Sequence, residues 1–351
     1  MTAVTDARAH QLDLGTRGLV RSDAAPLVSL EPEDLSLIEG RLLLVANAGG
    51  HLSQLARLRP RLPGAGRRPV WVTSETPQSR SLLAGEMVLW APEVAPRDVA
   101  NVARCVGLAR KMLRHPPAMV VSTGSGIALG FLPLLAAAGI PAHYVESATR
   151  VEGPSLTGRI LGRFPPVRVH TQHPRWANRR WSYTGSVFEG FAAVPRSPVP
   201  TRITKVVVTV GTLDFPFDRM LRRAAAVIPG DAEVLWQVGS SDVSQLGIDA
   251  RRTVPADELA AAIAEADVVI AHAGTGSALA AHEAGRCPLL ITREPAFGEH
   301  VDDHQAQTAG YLSDLGLAVS RRVPDLRLAD LWEAAACQIV PTRQPEPLVL
   351  A

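Results

Sequence analysis

Short apolar runs alternate with amphipathic stretches along most of this 351-residue chain. RLLLVANA (41–48) reads as a buried strand that ends at Gly49–Gly50, and SQLARLRPRL then begins a helix. PVWVTS (69–74), AMVVSTG (118–124), AHYVES (142–147) and VRVHTQ (167–172) have the apolar, β-branched character of further strands. A Pro-rich stretch, AAVPRSPVPTR (192–202), breaks the alternation and suits a linker. The pattern then restarts. TKVVVTVGT (204–212) is a strand entering a Gly turn, and DRMLRRAAAVI (218–228) is a helix. AEVLWQVGS (232–240) is a strand and ADELAAAIAEA (256–266) a helix. DVVIAHAGTGS (267–277) is a strand running into a second Gly-rich turn, and CPLLITRE (287–294) is another strand.

Strands that alternate with helices predict an α/β protein with parallel sheets. The length suits two domains. The expected division is two Rossmann-like domains facing a cleft, 41–191 and 204–340, joined by a linker at 192–203. Residues 1–40, acidic and irregular, read as a flexible leader, and 341–351 as a tail. Two such halves hold a ligand between them, at the carboxyl ends of their strands. GIALGFLPLLAAAGIPA (126–142) is at the lower limit for crossing a bilayer. Gly126, Gly130, Pro133, Gly139 and Pro141 punctuate it, so a buried helix is expected there.

Charge changes the picture more than composition does. The formal net charge is +2, yet residues 41–190 hold 19 Lys/Arg against 7 Asp/Glu, and residues 204–351 hold 12 against 20. The basic half includes RCVGLARKMLRH (104–115), GRILGRF (158–164) and Arg179–Arg180. Such a face is either a solvated arginine-rich surface or one that meets anionic lipid or a phosphorylated acceptor. Nucleic acid is not expected, because aromatics are few and are not interleaved with the basic residues. Cys105, Cys287 and Cys337 lie far apart without CxxC spacing, which suits a reducing compartment. No basic-then-apolar signal pattern opens the chain, so a cytoplasmic location is expected.

Three stretches carry candidate chemistry. In AHAGTGSALAAHEAG (271–285), Gly274 and Gly276 would let backbone approach a ligand, and the N–H groups of a helix start favour phosphate. It is neither a Walker A nor a GxGxxG motif. In NAGGHLSQ (47–54), His51 follows Gly49 and Gly50 at the top of a strand, as a cap or as a general base for a hydroxyl nucleophile. FGEHVDDHQ (297–305) places His300 and His304 four apart, among Glu299, Asp302 and Asp303. That is either a metal site or a polar rim for a hydroxyl-rich ligand. HVDDH lacks the glutamate placement of HExxH zinc hydrolases, and no further ligand cluster supports a metal.

HAGTGS followed by GEHVDDHQ resembles the C-terminal domain of glycosyltransferase family 28. NAGGHL, STGSGIALGF, YVESATRVEGPSLTGRIL and YTGSVF resemble the membrane-associated partner subunit of the two-subunit transferases that extend lipid-linked sugars. The chain resembles both subunits fused, acceptor half first, over roughly residues 41–320. That resemblance implies a GT-B fold and inverting transfer from a UDP-sugar to a polyprenyl-diphosphate-sugar acceptor. It implies no cofactor and no metal, and a cytoplasmic protein peripheral at the inner membrane face, with the basic first domain on anionic lipid. Exopolysaccharide, capsule or glycolipid assembly is the implied setting.

Carried over residue by residue, Gly274, Thr275, Gly276 and Ser277 would hold the diphosphate, with His272 at the strand end beside them. Gly211 and Thr212 would line the cleft. Glu299, His300, Asp302, Asp303, His304 and Gln305 would meet the donor sugar. His51 would be the base, with Glu146 the runner-up base or a capping residue. Gly49, Gly50, Ser125 and Arg150 would face the acceptor diphosphate. Many relatives place a ribose-binding glutamate where this chain has Ala280. Glu283, three residues on, is either its replacement or a solvated helix residue. Arg293 would pair with a donor carboxylate or be a surface arginine. The sugar itself stays open, and two other classes stand beside a transferase: a UDP-sugar 2-epimerase and a non-catalytic nucleotide-sugar-binding partner.

Overall fold

The computed structural model describes residues 26–33, 35–64, 68–95, 97–211, 215–300, 303–342 and 345–350. The first half builds a parallel sheet from β1 (Val28–Leu30), β2 (Leu42–Ala46), β3 (Val70–Thr73), β4 (Met87–Trp90), β5 (Met119–Gly124), β6 (Ala142–Val145), β7 (Val167–Thr171) and β8 (Trp181–Tyr183). Their spatial order is β1-β4-β3-β2-β5-β6-β7-β8. Its helices are α1 (Gly50–Leu58), α2 (Pro77–Leu82), α3 (Val99–Met112), α4 (Ile127–Ala137) and α5 (Leu156–Gly162). The central strands β2, β3 and β6 are buried along their whole length, so they read as continuous apolar runs rather than alternating ones.

The expected buried helix at 126–142 is α4, with seven of its eleven residues buried. Gly130 explains how closely it packs: a Cβ there would collide with Cys105 on α3. Among the described residues no helix is long and apolar enough to cross a membrane.

After β9 (Phe191–Pro195), the second half has β10 (Lys205–Thr209), β11 (Glu233–Gln237), β12 (Ala250–Arg251), β13 (Val268–His272), β14 (Leu289–Ile291) and β15 (Val319–Arg321). These parallel strands are ordered β12-β11-β10-β13-β14-β15. Around them lie α6 (Asp218–Val227), α7 (Ala256–Glu265), α8 (Thr275–Glu283), α9 (His304–Asp314) and α10 (Leu328–Ala335). β16 (Cys337–Pro341) pairs antiparallel with β9. The α/β reading with two Rossmann-like domains is what the chain forms.

The expected boundaries differ from the structure in three places. Residues 1–25 lie outside the described residues, but from residue 26 the supposed leader is structural: β1 pairs with β4, and Leu35 and Ile38 are buried. The Pro-rich linker begins as strand, because residues 192–195 belong to β9 and pair with β16. The tail returns to the first domain, where Leu348 is buried and its N–H donates to the Arg61 carbonyl at 2.9 Å. Each exception is a long-range pairing that local composition does not encode.

The domains meet through the loops and helices that follow the carboxyl ends of their strands. Arg57 of α1 is ion-paired with Glu283 of α8, and its guanidinium also stacks on Phe191, 4.1 Å from the ring centroid. Beyond β6, the Thr149 carbonyl accepts from Thr308 Oγ1 at 3.5 Å, and Glu152 accepts from Gln307 Nε2 at 3.1 Å, both donors on α9. His173 lies edge-on to Tyr311 of α9, with ring centroids 4.6 Å apart. The carboxyl edges of the two sheets therefore face each other.

Candidate active site

On the first domain, β2 and β5 slip register between Val45 and Ala46, so Ala46 lies opposite Gly124. Such an irregularity re-aims the chain at a strand end. The turn that follows is tied down by Asn47, whose Nδ2 donates to the Val94 carbonyl at 2.7 Å and to Ser125 Oγ at 3.0 Å. Gly49, at φ +87°, makes the turn into α1 that a side chain would strain. A Cβ at Gly49 or Gly50 would meet open space.

His51 stands in the first turn of α1. Its Nδ1 lies 2.7 Å from the Thr123 carbonyl, and Thr123 Oγ1 donates back to the His51 carbonyl at 2.8 Å. A carbonyl only accepts, so Nδ1 carries the proton and Nε2 keeps its lone pair. Burial holds the imidazole below its ordinary pKa of 6.5, the Thr123 bond opposes this, and the Arg150 charge lowers it further. A neutral imidazole with a fixed tautomer and a basic Nε2 is suited to removing a proton from a hydroxyl.

Glu146 is placed differently. Its carboxylate is buried and accepts four hydrogen bonds: Tyr144 Oη at 3.0 Å, Ser147 N at 3.0 Å, Ser155 N at 2.8 Å and Ser155 Oγ at 2.9 Å. Burial pushes its pKa up while these donors pull it down. With both oxygens engaged, the structure favours the capping alternative over the base. Arg150 follows in the same loop, its N–H bonded to the Ser147 carbonyl at 2.9 Å.

On the second domain, β13 ends at His272 and α8 begins at Thr275 with Gly274 as its N-cap. No side chain caps the helix. The Ala278 N–H is the first to reach back, to the Gly274 carbonyl at 3.1 Å, so Thr275, Gly276 and Ser277 present N–H groups without an intrahelical acceptor. That is an anion-binding geometry.

The two glycines of this turn do different work. A Cβ at Gly276 would meet nothing within 4 Å, as close ligand approach requires. At Gly274 the absence of a side chain has a further reason, since a Cβ there would fall within 3.0 Å of the His272 ring. Gly211, at φ +76° two residues beyond the end of β10, flanks the same imidazole and is equally crowded by it. Burial and the nearby Arg293 charge depress the His272 pKa to about 3. Thr212 and Asp302 lie outside the described residues.

The polar rim divides as well. Glu299 is buried and grips Arg219 of α6 with both oxygens, Nε–Oε1 2.8 Å and Nη2–Oε2 2.9 Å, so it braces the loop rather than facing a sugar. Arg293 is neither a surface arginine nor free for a donor carboxylate. It is 1% exposed and donates to the carbonyls of Val210 (2.9 Å), Glu299 (3.1 Å) and Phe215. Desolvation lowers its pKa to about 10. Gln305 is buried, with Oε1 3.4 Å from the Arg293 N–H. His300 packs at 5.6 Å against Phe215. Asp303 is the exposed N-cap of α9 and His304, its first residue, is half-buried, as is His300. Among the described residues, no three His, Cys, Asp or Glu side chains converge as a metal site. Glu283 is a solvent-exposed residue of α8 engaged by Arg57 rather than left free for ribose.

Residues 205–326 match the model of the glycosyltransferase family 28 C-terminal domain. Curated relatives extend the likeness into the first half. The UDP-N-acetylglucosamine–N-acetylmuramyl-(pentapeptide) pyrophosphoryl-undecaprenol N-acetylglucosamine transferase of Ralstonia nicotianae is 33% identical over 145 residues, 38% of this chain and 39% of that protein. Its counterpart in Solidesulfovibrio magneticus is 29% identical over 254 residues, 64% of this chain and 67% of that protein. The first alignment thus spans well under half of the relative. The crystal structure of Acinetobacter baumannii MurG superposes with a TM-score of 0.54 at 20% identity, covering 84% of this chain and 89% of that one. At that identity the likeness is one of fold, and the fold is GT-B.

The stretch that matches the family 28 model keeps its helix-start turn where the sequence motifs put it. Tyr144, Thr123, Arg219 and the brace role of Arg293 were missed at the level of sequence. Thr123, Arg219 and Arg293 bond partners 72, 80 and 83 residues away, while Tyr144 and Thr123, like Asn47, stood inside motifs already singled out without their bonding being legible there.

Proposed function

We propose that the chain is an inverting glycosyltransferase that moves a sugar from a UDP-sugar to a polyprenyl-diphosphate-linked sugar acceptor. The observation that carries this reading is the pairing of two strand-to-helix turns across the interdomain cleft. One presents unpartnered helix N–H groups, and the other a neutral histidine with a basic Nε2. The names of the relatives support a UDP-sugar donor and an undecaprenol-linked acceptor.

The diphosphate of the donor rests on the N–H groups of Thr275, Gly276 and Ser277. The positive end of α8 then stabilises the charge that develops on the leaving UDP, without a metal ion. His51 Nε2 takes the proton of the acceptor hydroxyl, whose oxygen attacks the anomeric carbon from the face opposite UDP. The C–O bond to UDP breaks as the new bond forms, and the configuration inverts. Arg150, Gly49, Gly50 and Ser125 receive the acceptor diphosphate, while Asp303, His304 and His300 contact the sugar hydroxyls.

The acceptor reaches the site along the basic first domain, at the cytoplasmic face of the membrane. Leu156 and Ile160 on α5 are 63% and 46% exposed beside exposed Arg159 and Arg163. Residues four apart share a helix face, so this is an apolar pair with cationic flanks, the pattern of an interfacial contact. Exopolysaccharide, capsule or glycolipid assembly is the setting we propose.

The test is UDP release by the full-length protein with a panel of UDP-sugars, with and without a polyprenyl-diphosphate-glucose acceptor. Acceptor-dependent release from one donor, abolished in His51→Ala, supports the reading and names the sugar. Donor epimerisation without an acceptor would overturn it in favour of an isomerase. UDP binding without any turnover would overturn it in favour of a binding partner.

A further inference from the structure

Glu146 belongs to neither the diphosphate turn nor the proton transfer, yet it is the most completely bonded carboxylate of the first domain's cleft. Its two oxygens reach opposite ends of one loop. Oε1 holds Ser147, the first loop residue, and Oε2 holds both the N–H and the hydroxyl of Ser155, the last one. Ser155 Oγ in turn caps α5 by accepting from the Gly158 N–H at 3.0 Å.

Between these ends the loop is pinned on both sides of the cleft. On its own domain, the Ala148 carbonyl lies 2.7 Å from His173 Nε2, and the Arg150 carbonyl accepts from Trp176 Nε1 at 2.9 Å. Across the cleft, Thr149 and Glu152 meet Thr308 and Gln307, on the helix whose first residues belong to the donor-side rim. The fourth donor to the carboxylate, Tyr144 Oη, connects it to the base. A Cβ at Gly124 would touch that hydroxyl and the His51 ring alike, each at 3.3 Å, so the phenol and the imidazole flank one glycine. The charge of Arg150 is felt by His51, Tyr144 and Glu146.

We infer that Glu146 is a positioning residue: its carboxylate clasps both ends of the 147–155 loop and so fixes the backbone that carries Arg150 while the loop rests on α9. The catalytic part of this inference rests on the proposed transferase reading. The clasp itself does not. In Glu146→Gln the amide NH2 must point at one of the backbone N–H donors that the carboxylate accepts, so one end of the loop is released.

Hydrogen–deuterium exchange on the full-length wild type and Glu146→Gln tests the clasp without any turnover. Exchange in peptides covering 147–155 is expected to speed up about tenfold or more, with protection of α1 (50–58) and α8 (275–283) unchanged. Unchanged loop protection overturns the clasp, and so does a uniform loss of protection across the chain. Ser155→Ala, which removes only the hydroxyl donor and the cap, is the milder variant should Glu146→Gln fail to fold. Faster exchange confined to the loop is expected there too.

Acceptor kinetics then test the positioning. Glu146→Gln is expected to raise the acceptor KM about tenfold while the donor KM stays within about twofold. The double variant with Arg150→Ala should be no worse than Arg150→Ala alone, because both remove the same placement. Multiplicative losses, or an equal rise in donor KM, would overturn it. A wild type that never turns over would fail the transferase reading and leave the exchange result to decide the clasp.

Discussion

The His272 imidazole occupies the space that a side chain at Gly274 would need, and Gly211, in the turn after β10, clears room for the same ring. One buried, neutral histidine therefore dictates glycine at two positions of the donor-side turn. The third glycine, Gly276, has open space above it instead.

These glycines should respond in opposite ways to alanine. Gly274→Ala must displace the His272 ring and is expected to lower stability by about 1–3 kcal/mol, the usual range for overpacking. Gly276→Ala should melt within about 0.5 kcal/mol of the wild type and lose UDP affinity by about tenfold, since the methyl group enters the space proposed for phosphate. Differential scanning calorimetry with titration of UDP checks both. Equal melting losses, or wild-type UDP affinity in Gly276→Ala, would contradict the assignment.

The neutral form of His51 is the active one in the proposed mechanism, and its pKa lies below 6.5 because burial disfavours the imidazolium. Acceptor-dependent kcat/KM should therefore be level above about pH 7 and fall as pH drops through that lowered pKa. His51→Ala should lose about 10²–10⁴-fold in kcat with UDP affinity intact. An acidic limb centred above pH 7 would identify a different base.

Acid stability follows from four other buried imidazoles. Desolvation lowers His143 and His282 to about 4 and His170 and His272 to about 3. Each folded-state value lies below the unfolded one near 6.5, so the unfolded chain binds protons first on acidification. The stability they confer is complete above pH 6.5 and is lost as pH falls toward 4, at about 1.4 kcal/mol per pH unit for each group. His143 and His170 stack on one another, and the charge of one disfavours protonation of the other, so the folded pair takes up its protons in two separate steps. Melting temperature should fall steadily from about pH 6.5 to about pH 4.5. A level profile would mean that these rings are charged in the fold.

Glu283 offers a clean discrimination. As the partner of Arg57 it should be dispensable for UDP binding, and Glu283→Gln should change UDP affinity by less than about threefold. Its side chain is 40% exposed, so loss of the pair should cost about 0–1 kcal/mol. A UDP affinity reduced by about tenfold or more would return Glu283 to the ribose.

The membrane proposal predicts that Leu156→Glu and Ile160→Glu weaken sedimentation with anionic vesicles. Withdrawing one such side chain from an apolar environment is worth about 1.5–3 kcal/mol, which corresponds to about tenfold or more in partitioning. Turnover of an acceptor presented in detergent should survive both changes. Vesicle binding that stayed unchanged would place the contact elsewhere on the first domain.

The chain's own pattern determined the two α/β halves and both strand-to-helix turns. Buried parallel strands must be apolar along their length, and a turn that leaves helix N–H groups open must keep side chains small. The pattern also singled out His51, because a histidine directly after paired glycines at a strand end is visible in NAGGHL alone. What the tertiary structure alone decided was the use made of each polar side chain. Glu299, Arg293, Glu283 and Glu146 all looked available to a ligand, and each is engaged by a partner 80, 83, 226 or 9 residues away. Desolvating a charge is costly unless it is paired, so the fold recruits charges near the cleft as braces, and only the packed chain reveals which ones remain for the ligand.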